Sequence, residues 1–212
     1  MKHIIWDWNG TLLNDLAIII ELVNRTVGSV GIPAITLDDY RTHYTRPVKQ
    51  FYDNIAGYEI DAETWQGIDG LFHANYRTMV SDAQLAAGAE EALRSIDDSP
   101  HGQSLLTMAS AAELELAFEL FDVERRFDVA QANRGPAGGF KSDLLADHLA
   151  RLDVDSREVT MIGDTVDDGQ AALDNEIGCV LYDDGSHHRH DLETVGVPIT
   201  DSIAKAVEIA LR

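Results

Sequence analysis

Cysteine, lysine and long apolar runs are scarce in this chain of 212 residues. Its single cysteine, Cys179, has no partner for an intrachain disulfide, which is typical of proteins from a reducing compartment. No apolar run approaches the roughly 18 residues that a membrane-spanning helix needs, and the first residues lack the long apolar segment of a signal peptide. We therefore expect a soluble, cytoplasmic protein with no membrane partner.

Basic residues are also few. Lys and Arg number 16 against 37 Asp and Glu, which gives a formal net charge of −21. A charge of this sign repels nucleic-acid phosphates, so we expect no nucleic acid partner. It also repels small anions unless the binding site supplies a local cation. The lysines are limited to Lys2, Lys49, Lys141 and Lys205, so the position of each one is informative.

Short apolar runs alternate with helical patterns over most of the chain, which fits a single core with a small insertion. The predicted strands are His3–Trp6, Gln103–Thr107, Asp128–Ala132, Glu158–Ile162 and Gly178–Tyr182. The predicted helices are Ala111–Phe121, Ser142–Leu152, Asp167–Asn175 and Ile203–Leu211, and residues 134–139 are a loop by composition. This alternation predicts an α/β fold whose parallel sheet is covered on both faces.

The segment 15–82 breaks this alternation. It carries apolar residues at helical spacing and no strand signal of comparable quality. We therefore predict an all-helical insertion at 15–82, called here the helical insertion, and a core made of residues 1–14 and 83–212. The aromatic residues expected to pack inside the helical insertion are Phe51, Tyr52, Trp65 and Phe72.

Polar residues stand where the predicted strands end. Asp7 ends the first strand, Thr107 the second and Asp164 the fourth, while Lys141 and Asp168 open helices nearby. Ligands of open α/β sheets bind at this edge, so we expect these side chains to meet there. Carboxylates suit Mg²⁺, which would let Asp7 attack a phosphate dianion. A lysine and a hydroxyl would then stabilise the phosphoryl oxygens.

Four segments of the chain resemble the four motifs of the haloacid dehalogenase superfamily. They are Asp7-Trp-Asn-Gly-Thr-Leu-Leu-Asn-Asp15, Leu106-Thr107, Lys141 and Ile162-Gly-Asp-Thr-Val-Asp-Asp168. The resemblance spans nearly the whole chain, and it implies a Rossmann-like core. The general layout resembles the phosphoglycolate-phosphatase-like branch, in which the helical insertion would be a C1 cap that selects the substrate.

The resemblance also implies a role for each matching residue. Asp7 would carry an aspartyl phosphate, and Mg²⁺ would be held by Asp7, the Asn9 backbone carbonyl and Asp164, with Asp168 in support. The predicted catalytic residues are Asp7, Asn9, Thr107 and Lys141. The predicted substrate-binding residues are Gly10, Thr11, Arg46, Lys49, Thr107, Ala109 and Lys141. The expected partner is a small phosphorylated metabolite.

Asn9 departs from the superfamily pattern. In its phosphatases the matching residue is a second aspartate, which protonates the leaving group and then deprotonates the hydrolytic water. An amide does not titrate near pH 7. The loss of general acid–base help typically costs about 10²–10⁴-fold in rate.

Three interpretations of Asn9 stay open in the sequence. The first is a phosphatase that is impaired towards alkyl esters but adequate for good leaving groups, such as aryl or acyl phosphates, with Asp15 or an insertion residue relaying protons. The second is a phosphonatase-like carbon–phosphorus hydrolase, in which Lys49 forms a Schiff base with the substrate. The third is a regulatory module that binds phosphate or Mg²⁺ without turnover.

Overall fold

The computed structural model describes residues 1–133 and 139–212. Most of the predicted loop at 134–139 lies outside the described residues. The strands are β1 (His3–Trp6), β2 (Leu13–Asn14), β3 (Gln84–Leu85), β4 (Gly102–Ser110), β5 (Ala130–Asn133), β6 (Val159–Gly163), β7 (Gly178–Tyr182) and β8 (Ile199–Thr200). The helices are α1 (Leu16–Ser29), α2 (Leu37–His43), α3 (Val48–Ala56), α4 (Ala62–Met79), α5 (Ala89–Asp97), α6 (Ala111–Phe121), α7 (Lys141–Leu149), α8 (Val166–Asp174), α9 (Arg189–Glu193) and α10 (Ile203–Ala210).

Six strands form one parallel sheet in the order β5-β4-β1-β6-β7-β8. Strand β1 lies in the middle and pairs with β4 on one side and β6 on the other. The strand order therefore runs outwards from β1 in both directions, which is the topology of a doubly wound α/β fold. The predicted fold class is confirmed.

Both faces of the sheet are covered by apolar clusters. Along β1, Ile4 and Trp6 belong to one cluster and Ile5 belongs to the other, as the alternation of a strand requires. Helices α5, α6 and α10 contribute to the first cluster, while α7 and α8 contribute to the second. The near-continuous apolar strands of the sequence follow from this double burial.

The ends of the predicted elements differ from the structure by a few residues. Helix α6 has the predicted bounds, and its Ser110–Glu113 capping box is formed. Helix α7 begins one residue earlier than predicted, because Asp167 Oδ2 accepts a hydrogen bond from the Lys141 backbone N–H at 3.1 Å. Helix α5 and strand β8 were not predicted from the sequence.

Helices α1 to α4 lie between β2 and β3, which pair antiparallel through Leu13 and Leu85. These helices pack around a third apolar cluster that includes Val23, Phe51 and Ile68. Between Leu16 and Asp82 the structure forms helices and no strand. Among the described residues, no helix has the length and apolar character needed to cross a membrane.

Candidate active site

Most of the predicted site residues lie at the carboxyl edge of the sheet, beside β1. Asp7 follows β1 directly, and its backbone N–H donates to the Ile162 carbonyl at 2.9 Å, which continues the pairing with β6. Thr107 lies within β4 and Asp164 follows β6. Because neighbouring parallel strands end at the same edge, residues about 160 positions apart in sequence become neighbours.

Lys141 joins two of the carboxylates. Its Nζ donates to Asp7 Oδ1 at 2.6 Å and also to Asp168 Oδ1. The lysine side chain is buried, as are both carboxylates. Burial lowers the pKa of Lys141, but the two aspartates outweigh this effect and the pKa is raised. Lys141 is therefore a permanent local cation in an otherwise acidic protein.

Three buried aspartates lie at this edge beside Lys141. Asp7, Asp164 and Asp168 each offer an oxygen, and these oxygens lie within 4.8 Å of one another. Burial raises the pKa of Asp7 to about 6 although Lys141 opposes the change. Burial, with Asp7 and Asp168 nearby, raises the pKa of Asp164 well above its ordinary value. The excess of buried oxygen ligands fits a divalent cation such as Mg²⁺.

Asp164 is fixed in place from several sides. Its Oδ1 accepts from the Thr11 hydroxyl at 3.0 Å and its Oδ2 accepts from the Ser186 backbone N–H at 2.7 Å. A Cβ on Gly10 or Gly185 would collide with this carboxylate, so both glycines are needed for close packing. Thr11, predicted to bind substrate, is fully buried, and its hydroxyl is bonded to Asp164.

Asn9 lines the cavity, and its amide donates hydrogen bonds on the side of the helical insertion. Asn9 Nδ2 donates to Asp15 Oδ2 at 2.6 Å and to the Tyr76 hydroxyl at 2.7 Å. The Tyr76 hydroxyl in turn donates to Asp15 Oδ2 at 2.9 Å. Burial raises the pKa of Asp15, although its hydrogen bonds act in the opposite direction. The side chain at position 9 is therefore a hydrogen-bond donor to the Asp15 carboxylate.

A cavity of about 170 Å³ lies over Asp7, between the sheet edge and the helical insertion. We call its lining at the sheet edge the floor, and the aromatic and aliphatic residues that line it from the helical insertion the roof. The helical insertion also lines the cavity with Asp15, Arg46, Asp69, His73 and Tyr76. The floor comprises Asp7, Asn9, Gly10, Thr107, Met108, Ala109, Lys141, Thr165, Asp167 and Ser186. The roof comprises Leu16, Ile19, Val23, Tyr40, Tyr44, Val48, Phe51, Tyr52, Trp65 and Phe72.

The two predicted basic residues of the helical insertion are placed differently. Arg46 lines the cavity, and its Nε lies 3.5 Å from Asp167 Oδ2 across the gap to the floor. Lys49 is not among the described residues that line the cavity, and its Nζ is held by both carboxylate oxygens of Asp53 at 2.9 and 3.0 Å. The structure therefore brings only Arg46 to the site.

One side of the cavity carries charged residues that were not predicted. His73 Nδ1 forms a hydrogen bond with Glu113 Oε1 at 2.6 Å, and His73 Nε2 lies 3.5 Å from Asp69 Oδ1. The bond to Glu113 raises the pKa of His73. This pair joins α4 to α6. The capping box at Ser110 is the only signal in the sequence that indicates a fixed position for Glu113.

Comparison with known proteins identifies a family. A family model described as haloacid dehalogenase-like hydrolase matches residues 4–182. No curated protein matches the sequence.

Solved structures with the same fold are numerous. A predicted phosphatase from Clostridium acetobutylicum is 20% identical with a TM-score of 0.87, covering 99% of this chain and 98% of that one. A haloacid dehalogenase-like family hydrolase from Streptococcus pneumoniae is 18% identical with a TM-score of 0.84, covering 99% and 98%. A predicted phosphoglycolate phosphatase from Haemophilus somnus is 16% identical with a TM-score of 0.82, covering 99% and 97%. At these identities the likeness shows a shared fold.

Proposed function

The chain belongs to the haloacid dehalogenase-like hydrolase family, and on that premise we propose that it is a Mg²⁺-dependent phosphatase of a small phosphorylated metabolite. The observation that carries the proposal is the floor of the cavity. The Asp7 carboxylate lines the cavity and is hydrogen-bonded to the buried Lys141. Asp164 and Asp168 supply further carboxylate oxygens within 4.8 Å. A cytoplasmic location accompanies the proposal, since Cys179 is a free, buried cysteine.

In this proposal Asp7 attacks the phosphorus of the substrate and becomes an aspartyl phosphate. Lys141 and the Thr107 hydroxyl bind the non-bridging oxygens as charge develops on them. Mg²⁺, held by Asp7, the Asn9 carbonyl and Asp164 with Asp168 in support, would supply positive charge that lets the nucleophile approach a dianion. Thr11 and Ser186 position Asp164 for this task.

We further propose that the helical insertion, residues 15–82, is the C1 cap of the family. Its side chains close the cavity opposite Asp7, and Arg46 adds a second cation near the floor. The phosphonatase alternative gains no support from the geometry, because Lys49 is engaged by Asp53 and does not line the cavity among the described residues.

Asn9 changes how protons move in this proposal. Its amide cannot protonate a leaving alkoxide or deprotonate the hydrolytic water. Both steps therefore fall to solvent, and the second step, hydrolysis of the aspartyl phosphate, becomes slow.

The proposal is tested by assaying phosphate release from a panel of phosphate esters and acyl phosphates, with Mg²⁺ and with excess chelator. We expect Mg²⁺-dependent turnover of at least one substrate, and a loss on the order of 10⁴-fold or more in the Asp7→Asn variant, as is typical when a nucleophile is removed. Retained turnover in Asp7→Asn would exclude Asp7 as the nucleophile. Binding of inorganic phosphate and Mg²⁺ without any turnover would favour a regulatory module.

A further inference from the structure

The roof is built from aromatic rings that hold one another in place. Phe51 contacts Tyr44 and Tyr52 edge to face, with ring centroids 5.9 and 5.2 Å apart. Tyr52 contacts Trp65 at 5.4 Å. Such contacts fix ring orientation before a ligand binds, and a preformed surface loses little entropy on binding. The roof is therefore a preformed aromatic surface that lines the same cavity as Asp7.

Most of the roof cannot form hydrogen bonds through its side chains. Six of its side chains contain no nitrogen or oxygen, namely Leu16, Ile19, Val23, Val48, Phe51 and Phe72. The polar and charged side chains with which the helical insertion lines the cavity are already engaged. The Tyr76 hydroxyl donates to Asp15, Arg46 lies 3.5 Å from Asp167, and His73 is bonded to Glu113 and lies near Asp69. A buried hydroxyl without a partner lowers affinity roughly tenfold. A sugar or polyol leaving group would place several hydroxyls against this surface.

The size of the cavity limits the leaving group further. The cavity measures about 170 Å³. An apolar protein cavity of roughly 150 Å³ is enough to bind benzene. The space over Asp7 is thus suited to a phosphoryl group with one ring, and it is too small for a nucleoside.

These observations, together with Asn9, identify a substrate class. We propose that the substrates are aryl phosphate monoesters with a single aromatic ring, which stacks against the roof while the phosphate lies on the floor. This inference rests on the phosphatase function proposed above. It extends that function by assigning the roof residues, with Trp65 and Val48 as examples, to recognition of the leaving group.

The chemistry of the leaving group agrees with the residue at position 9. Asp7 forms a bond to phosphorus, the bond between phosphorus and the aryl oxygen breaks, and the electron pair leaves on the aryl oxide. A phenol ionises with a pKa of about 10, far below the 15.7 of water, so its oxide departs without a general acid. Water then hydrolyses the aspartyl phosphate, and its two protons end on the phosphate and the phenol.

Three matched substrates separate the contributions of the roof and of the leaving group. Phenyl phosphate and cyclohexyl phosphate have similar size but leaving groups of very different acidity. Phenyl phosphate and acetyl phosphate both have good leaving groups, but only the first carries a ring. We expect the wild-type protein to prefer phenyl phosphate to both others, by about 10²-fold over cyclohexyl phosphate in kcat/KM.

Variants of the roof then test the contact itself. Trp65→Leu should lower kcat/KM for phenyl phosphate roughly three- to tenfold, with acetyl phosphate changed less than about twofold. Val48→Thr keeps the shape of the side chain while adding a hydroxyl, and it should act in the same direction. Tyr58→Leu is the matched control, because Tyr58 is an exposed ring of the same segment that does not line the cavity.

The outcomes distinguish the two proposals. Equal losses for phenyl and acetyl phosphate in both roof variants would overturn the aryl assignment, as would a wild-type preference for cyclohexyl phosphate or acetyl phosphate. In each of those cases Asp7-dependent turnover would leave the phosphatase function intact. If no ester or acyl phosphate is hydrolysed in an Asp7-dependent way, the proposed function itself fails.

Discussion

The floor and the roof of the cavity are built in opposite ways. The floor collects residues that follow β1, lie in β4 or stand at the starts of α7 and α8, and its charged pair Asp7 and Lys141 is buried. The roof comes from one contiguous helical segment and is mainly apolar. Positions in the floor depend on the topology of the sheet, whereas positions in the roof depend on local helix packing. Such an arrangement lets the roof vary in sequence while the chemistry of the floor stays the same.

Polar contacts beside the cavity join the helical insertion to the core. Among the described residues, Arg46 lies near Asp167, His73 is bonded to Glu113, and Asn9 donates to both Asp15 and Tyr76. From this difference between floor and roof, we expect substitutions in the floor to affect both stability and chemistry. Substitutions in the roof should affect mainly the choice of substrate.

The largest effect is expected when the cation of the floor is removed. Lys141→Met leaves Asp7 and Asp168 buried without their partner, which costs about 3 to 5 kcal/mol of unfolding free energy. Urea unfolding measures this loss, and Mg²⁺ should restore part of it. Lys205→Met, at an exposed lysine, is the control and should change little. Unaltered stability of Lys141→Met would contradict the picture of a floor held by buried charge.

A second effect concerns the core beneath the floor. His148 lies buried between Ser104 and Gln131. Burial lowers the pKa of His148 from 6.5 to about 4, so the folded state binds its proton less readily than the unfolded chain. Stability is therefore fully present above pH 6.5 and is lost as the pH falls towards 4. The loss attributable to this residue is about 3 kcal/mol.

The His148→Gln variant isolates that loss, because a glutamine keeps hydrogen-bonding capacity without titrating. We expect its free energy of unfolding, measured by denaturant between pH 7 and 4, to fall less steeply than that of the wild type (about 3 kcal/mol less over the range). Parallel curves for the two proteins would show that His148 is not the group responsible.

A third, smaller effect is expected at the junction of floor and roof. In the wild type, Asp15 Oδ2 accepts a hydrogen bond from Asn9 at 2.6 Å. Asn9→Asp supplies a titrating group, but it replaces this donor with a second carboxylate facing Asp15. The exchange Asn9→Asp with Asp15→Asn restores a donor to the pair. We expect hydrolysis of alkyl phosphates to rise in both variants, and to reach about 10²-fold only in the double variant.

This experiment also has a clear negative result. If neither variant hydrolyses alkyl phosphates faster than the wild type, protons are delivered by a route that does not pass through position 9. The aryl phosphate rate is the internal control, because a good leaving group gains little from a general acid.

Much of the candidate site could be predicted from the sequence, since Asp7, Thr107 and Asp164 stand at or near the ends of recognisable strands. The partners of these residues could not, because contacts such as Thr11 to Asp164 span 153 positions and depend on tertiary packing. The pairing of Lys49 with Asp53 could have been predicted from the sequence, since oppositely charged residues four apart on a helix lie on the same face.

The roof was predicted less completely. Phe51, Tyr52, Trp65 and Phe72 were expected to pack inside the helical insertion, and they do so. Helical spacing gives the buried face of a helix, but it does not show that the same rings line a cavity. That property depends on how α1, α3 and α4 stand over β1, which no local pattern contains.

The most direct test of the central claim is a search for phosphate on Asp7 during turnover. Because Asn9 cannot activate water, the aspartyl phosphate should form faster than it is hydrolysed and should accumulate. Acid quenching within the first turnover with phenyl phosphate, followed by mass spectrometry, should find one phosphoryl group on the peptide that contains Asp7, together with a burst of phenol. Steady turnover without a burst and without phosphate on that peptide would contradict the claim.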